Sequence, residues 1–203
     1  MVRNYLIYED FFAFKKRVII LKDRNYVELR SIHTRRSMLV PVTLEITKSL
    51  LEKSNREIKR FGINADDKWP TNDTMDILPI IEASLEKSKN PNGFELWMIV
   101  KQEDMSVIGD IGFHGKPDEK GEVEIGLGLV EHERNKGYGY EALRAIMDWL
   151  YCQESIKAIK AECLLNNKPS ARILERAGMR ETHRNQNLIY WKLIKHNSNN
   201  PYK

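Results

Sequence analysis

The residue types best suited to chemistry lie between positions 109 and 170. Eight of the 11 glycines fall between Gly109 and Gly139. Two of them, Gly126 and Gly128, sit in an alternating segment, 122–130. There Val123, Ile125, Leu127 and Leu129 face one way, and Glu122, Glu124 and the two glycines face the other. Glycine weakens a strand, so the pair needs a reason. Either the sheet bulges or bends there, or a ligand lies against bare backbone. Glu124 lies on the glycine face as well, and by itself reads as a solvated edge carboxylate.

The run Arg134-Asn135-Lys136-Gly137-Tyr138-Gly139 comes next, between a strand and a helix. Gly137 and Gly139 let the chain turn sharply and leave main-chain N–H groups uncovered. The first N–H groups of the following helix have no internal partner and sit at the positive end of its dipole. Such a turn is an anion cradle suited to a pyrophosphate, and Arg134 and Lys136 add positive charge. It lacks the Gly-Lys-Ser/Thr of a P-loop and is not a GxGxxG fingerprint. About 25 residues on, Asn167 and Ser170 precede another helical segment, where Asn and Ser commonly cap.

The elements that must position these residues read as one mixed α/β sheet. Strands are expected at 96–100, 107–113, 122–130 and 156–164, with a closing hairpin at 179–184 and 188–193. The stripe Leu143, Ile146, Met147, Leu150 makes 137–152 an amphipathic helix. A shorter helix spans 170–177, and Gly178 suits its C-terminal cap. Upstream, Pro41 makes 38–43 an edge strand or a strand end. Helices follow at 44–53, from a cap at Ser54, and at 73–88. The last carries Ile77, Ile80, Ile81 and Leu85 on one side. Residues 90–93 make a turn. Residues 1–37 form an N-terminal arm without clean periodicity, apart from a short strand near 26–30. The domain runs over 38–194, and 195–203 is a polar, flexible tail.

Composition narrows the function. Of 203 residues, 41% are hydrophobic and 31% charged, an ordinary globular balance. No apolar run is long enough to span a membrane and no secretory signal stands out, so the expected location is cytoplasmic, with no membrane partner. The net charge of +4 suits an anionic ligand, but the charges are interleaved, so no nucleic-acid partner is expected. Cys152 and Cys163 cannot frame a zinc site, the five histidines are scattered, and no metal is expected.

The residues at 122–143 and 167–179 together resemble the acetyl-CoA-binding core of the GNAT family of N-acetyltransferases. The family pattern Gln/Arg-x-x-Gly-x-Gly/Ala is matched by Arg134, Gly137 and Gly139, with Glu141-Ala142-Leu143 beyond. Its second motif, Asn-x-x-Ser before a helix ending in Gly-Phe, is matched by Asn167, Ser170 and Gly178-Met179. Trp69-Pro70 and the strand Gly109-Asp110-Ile111-Gly112-Phe113 resemble the branch containing the ribosomal-protein N-terminal acetyltransferases.

The resemblance implies a mostly antiparallel sheet flanked by helices, with strands 122–130 and 156–164 splayed into an acyl-CoA cleft. It implies acetyl-CoA as donor and an amine, in a small molecule or at a protein N-terminus, as acceptor. Pantetheine amides would pair with backbone near Leu129 and Val130. The pyrophosphate would lie on the amides of Arg134, Asn135, Lys136, Gly137, Tyr138 and Gly139. Asn167 would fix the loop or a pantetheine amide, Ser170 would lie near the thioester sulfur, and Glu124 on the glycine face would be the base, with Asp110 and His114 as secondary candidates. Leu174 stands where many members carry a tyrosine as general acid, and Tyr190 is too far along the chain to take its place. That departure keeps a non-catalytic acyl-CoA-binding or sensor module open as the alternative. A homodimer through the arm also stays open. Trp69 and Trp191 are candidate walls of the acceptor site or members of the core.

Overall fold

The computed structural model describes residues 17–22, 25–88 and 91–195. The start of the arm, the predicted tail beyond Lys195, and Asn90 of the predicted turn lie outside the described residues. Strands β1 (Arg17–Lys22) and β2 (Asn25–Arg30) pair as an antiparallel hairpin. The main sheet begins at β3 (Ile32–His33) and β4 (Ser37–Pro41), so the predicted arm contributes both a hairpin and the first strand of the sheet.

Helices α1 (Leu44–Leu51), α2 (Arg56–Arg60) and α3 (Asn72–Ser88) follow, with the short β5 (Asn64–Ala65) between the last two. The meander β6 (Leu96–Lys101), β7 (Ser106–Phe113) and β8 (Glu122–Leu129) leads through a single 3-10 turn (Glu131–Glu133) into α4 (Tyr138–Tyr151). Then come β9 (Ala158–Leu164), α5 (Lys168–Arg176), β10 (Arg180–Arg184) and β11 (Leu188–Ile194). The sheet order is β10-β11-β9-β8-β7-β6-β4-β3, with β5 alongside β7. Among the described residues only β8/β9 and β5/β7 are parallel pairs. The fold is thus α/β, one open and mostly antiparallel sheet with helices on both faces.

Sheet register assigns the faces. Gly109 lies opposite Leu129 and Ile111 opposite Leu127, so these four share a face. Helix α4 covers it: Trp149 packs against Phe94, Trp97 and Phe113 with ring centroids 5.2, 5.8 and 6.1 Å away. Asp110 lies opposite Gly128, on the other face, where Thr74 of α3 reaches it.

Local sequence accounts for most boundaries, with three differences. The buried stripe of α3 is Thr74, Leu78, Ile81 and Leu85. Ile80, predicted inside, is 70% exposed, because the turn places 78 and 81 inward and 80 between them. Helix α2 is capped at Asn55, not Ser54, and the Ser54 hydroxyl instead accepts from the Arg56 N–H. Strand β4 is not an edge: it lies between β3 and β6, and Pro41 closes it at the end. No helix among the described residues is long and apolar enough to cross a membrane.

Candidate acetyl-donor and acceptor site

Strand β8 is paired with β7 along most of its length, but with β9 only at Glu122↔Ala158, Val123↔Ile159 and Glu124↔Lys160. Beyond Glu124 the parallel ladder stops while both strands continue. Strand β9 keeps its other edge fully engaged with β11, from Ala158↔Ile194 to Leu164↔Leu188. The gap therefore opens between β8 and β9 alone. Leu127, Leu129 and Ile173 of α5 converge at its base, where a Cβ on Gly139 would lie 3.4–3.5 Å from all three side chains.

The hydrogen-bond phase of β8 decides which main-chain groups face the gap. Glu124 accepts from the His114 N–H at 3.1 Å, and Val130 donates to Ile108 at 3.0 Å. Even-numbered residues thus bond to β7, and Leu127 and Leu129 turn their main-chain groups toward β9. The Leu129 carbonyl accepts from Arg134 Nε at 3.0 Å. Val130, predicted alongside Leu129 to pair with pantetheine, has both groups in use: its N–H on Ile108 and its carbonyl on the Glu133 N–H at 3.1 Å. The 3-10 turn that follows β8 takes that carbonyl, so the open edge is Leu127 and Leu129.

The turn into α4 is built on left-handed backbone at Asn135 (φ 60°) and Gly137 (φ 89°), the latter at the N-cap. Positive φ at Gly137 costs glycine little and a residue with a Cβ about 1–2 kcal/mol. The Gly137 carbonyl takes the Glu141 N–H, and the amides ahead of it lie at the positive end of a 14-residue helix. The two predicted cations are both engaged: Arg134 on Leu129, and Lys136 with the buried Glu133 at 3.1 Å. Arg36, which the sequence reading missed, is the cation that shapes this turn. It donates to the Lys136 carbonyl at 2.9 Å, and its guanidinium lies 4.5 Å from the centroid of the Tyr138 ring. It stands 100 residues upstream, and no local pattern links it to the motif.

At the second motif, Asn167 Oδ1 accepts from the Ser170 N–H at 3.2 Å and caps α5. Ser170 is half-buried near the start of that helix. Leu174 is buried in the core. Tyr190 lies on β11, its hydroxyl accepting from Asn185 Nδ2 at 3.0 Å and its ring stacked on His183.

The glycine face of β8 is bare. A Cβ on Gly126 would meet nothing within 4 Å, and one on Gly128 would meet only Asp110 Oδ1, at 3.9 Å. Glu124 lies on this face, its side chain 30% exposed, with His114 Nδ1 at 3.2 Å. Asp110 is buried; its Oδ2 accepts from Trp69 Nε1 and Thr74 Oγ1, each at 2.7 Å. Burial pushes its carboxyl up, against the pull of those two bonds. Trp69 and Trp191, candidate walls in the sequence, are both core residues, 2% and 8% exposed; the Trp191 indole N–H points at Cys163 Sγ, 3.4 Å away. No group of three or more His, Cys, Asp or Glu gathers among the described residues.

Comparison with known proteins agrees with this geometry. A family model described as an acetyltransferase (GNAT) domain matches residues 36–180. The uncharacterized N-acetyltransferase YjdG of Bacillus subtilis (strain 168) is 29% identical over 160 residues, 79% of this chain and 95% of that protein. The ribosomal L7/L12 alpha-N-protein acetyltransferase RimL superposes with a TM-score of 0.61 at 15% identity, over 87% of this chain and 99% of that one. The microcin C7 self immunity acetyltransferase MccE, solved with acetyl-CoA and AMP, gives 0.56 at 14% identity, over 79% and 93%. At such identities these two structures bear on the fold alone.

Proposed function

The chain belongs to the acetyltransferase (GNAT) family, and from that premise we propose that it moves the acetyl group of acetyl-CoA to a primary amine by direct attack. The acceptor is a small-molecule amine or a protein N-terminus. The observation that carries this reading is the ladder between β8 and β9 stopping at Glu124, beside a glycine turn at a helix N-terminus. An extended pantetheine fits an unpaired strand edge, and a pyrophosphate fits the amides of 134–139. The MccE complex with acetyl-CoA supports the same donor on a related fold.

The residues then divide the work. The Leu129 N–H would polarise the thioester carbonyl from the gap. Asn167 would hold the loop or a pantetheine amide, with Ser170 near the sulfur. Holding donor and acceptor in line supplies several kcal/mol of the barrier. Glu124 would take the acceptor's proton, directly or through water. A lysine-type amine, with a pKa of about 10.4, costs roughly 4–5 kcal/mol to deprotonate at pH 7; an α-amine near 8 costs about 1. With a buried Leu174 at the usual tyrosine position, the leaving thiolate, with an intrinsic pKa of about 8.5, would depart without a dedicated acid or take its proton from water near Ser170.

Leu174 also favours the second reading, a non-catalytic acyl-CoA module. Thiol release from acetyl-CoA, followed colorimetrically across primary amines and short peptides, separates the two. Amine-dependent release is expected. Tight acetyl-CoA binding with no release on any acceptor would overturn the enzyme reading.

A further inference from the structure

Asp110 is a buried carboxylate that lacks a cation. It is 8% exposed, and both its hydrogen bonds come from neutral donors on buried residues, Trp69 Nε1 and Thr74 Oγ1. Both fall on Oδ2. Among the described residues no group donates to Oδ1, and no lysine, arginine or histidine pairs with Asp110. The one charged neighbour acting on it, Asp73, is also acidic. An uncompensated buried charge is costly, so such a group calls for a reason.

The direction of Oδ1 supplies one. It points over Gly128, the residue directly opposite on β8, and lies 3.9 Å from where a Cβ there would be. Gly126 continues the bare surface, with Gly112 opposite it. Glu124 closes the far end, paired with His114. The two bonds to Oδ2 fix the carboxylate so that its other oxygen faces this floor. The floor lies beside Leu127 and Leu129, on the face opposite α4.

We propose that Asp110 is the recognition carboxylate for the acceptor: its Oδ1 receives the ammonium of a primary amine laid over Gly126 and Gly128. The amine supplies the cation that the fold withholds, and the glycines leave room for its carbon chain. Asp110 positions the acceptor; the proton its ammonium loses before attack would pass through water over the glycine floor to Glu124, about 13 Å along β8 from Gly128. The assignment rests on the acetyl-transfer reading for the direction from which the acceptor approaches, but its test does not need turnover.

The Trp69 indole N–H reports on the site because it is bonded to the same carboxylate. In 1H–15N spectra of the full chain, with the Trp69 signal assigned through Trp69→Phe, titration with n-butylammonium should move that signal saturably. Butan-1-ol at equal concentration should not. Asp110→Asn should weaken n-butylammonium binding at least tenfold, as read from the other residues lining the floor. If that variant fails to fold, Gly128→Val, which keeps Asp110 and fills the floor, should abolish the titration while acetyl-CoA affinity stays within threefold. Absence of a saturable shift in the natural sequence, or an unchanged titration in either folded variant, overturns the proposal. A saturable Trp69 shift in a protein that releases no thiol with any amine would overturn the transfer reading and leave the recognition site standing.

Discussion

Arg36 Nε donates to Glu141 Oε2 at 2.9 Å, tying the turn before β4 to the first turn of α4. Glu141 Oε1 also accepts from the Arg36 main-chain N–H at 2.7 Å and from the Thr34 hydroxyl. The guanidinium continues to the Lys136 carbonyl at 2.9 Å. One carboxylate and one guanidinium thus brace the glycine turn from outside. This bracing holds the turn's amides in place.

Glu141 should therefore make stability depend on acid. Burial alone would raise its carboxyl; the Thr34 and Arg36 hydrogen bonds outweigh that and hold it below the usual carboxylate range. A depressed pKa gives stability that is complete above the unfolded value and lost as pH falls through the folded one. Glu141→Ala should cost about 1–2 kcal/mol near pH 7, discounted because the Arg36 side chain is 42% exposed. The difference in Tm from the natural sequence should shrink steadily below about pH 4.5. A gap in Tm that stays constant down to pH 3 would show that the network does not titrate as described.

Gly137 should separate binding from folding. Its φ of 89° and the Arg36 Nη2 atom 3.1 Å from a would-be Cβ make any side chain strained there. Gly137→Ala should lower stability by about 1–2 kcal/mol. Gly137→Glu adds a negative charge where a diphosphate is proposed to bind, and should abolish acetyl-CoA binding measured by calorimetry. Unchanged affinity in a folded Gly137→Glu protein would remove the pyrophosphate from this turn.

Asn167 poses a sharper choice, since its Oδ1 is already used as a helix cap. Asn167→Asp keeps that acceptor and deletes the amide donors. If Asn167 also holds pantetheine, the variant should keep its Tm and lose about tenfold in acetyl-CoA affinity, in line with one hydrogen bond. Asn167→Ala should lose about 1 kcal/mol of stability as well. Equal acetyl-CoA affinity for Asn167→Asp and the natural sequence would leave only the cap.

What was legible in the sequence was what local pattern can carry. The 122–130 alternation, the 134–139 turn and the α4 stripe each write their own geometry within about 30 residues. Arg36 was not legible, because an Arg-Arg-Ser segment becomes part of the turn only when β4 and α4 come together. The surroundings of Val130 were hidden for a related reason: nothing in its neighbours reveals that a 3-10 turn will take its carbonyl. Asp110 was legible only as a secondary candidate base. Its significance comes from register, which sets it opposite Gly128, and from two donors more than 35 residues upstream.

Glu124 offers a test in which the acceptor's own pKa is the variable. It stands on the bare glycine face at the point where β8 and β9 part, with His114 Nδ1 at 3.2 Å from its carboxylate. A general base helps most when the proton it removes is hard to lose. Glu124→Gln keeps the shape and removes the basicity, so its effect should scale with acceptor pKa. For an alkylamine near 10.4, kcat/KM at pH 7 should fall about 100-fold. For a peptide α-amine near 8, it should fall only a few-fold, since about a tenth of the amine is already neutral. Raising the assay to pH 9 should narrow the loss for the alkylamine as more of it becomes neutral in solution. His114→Asn should leave this pattern in place with a smaller loss, because it removes only the carboxylate's neighbour. Equal losses for both amines at every pH would mean that Glu124 orients the acceptor rather than taking its proton.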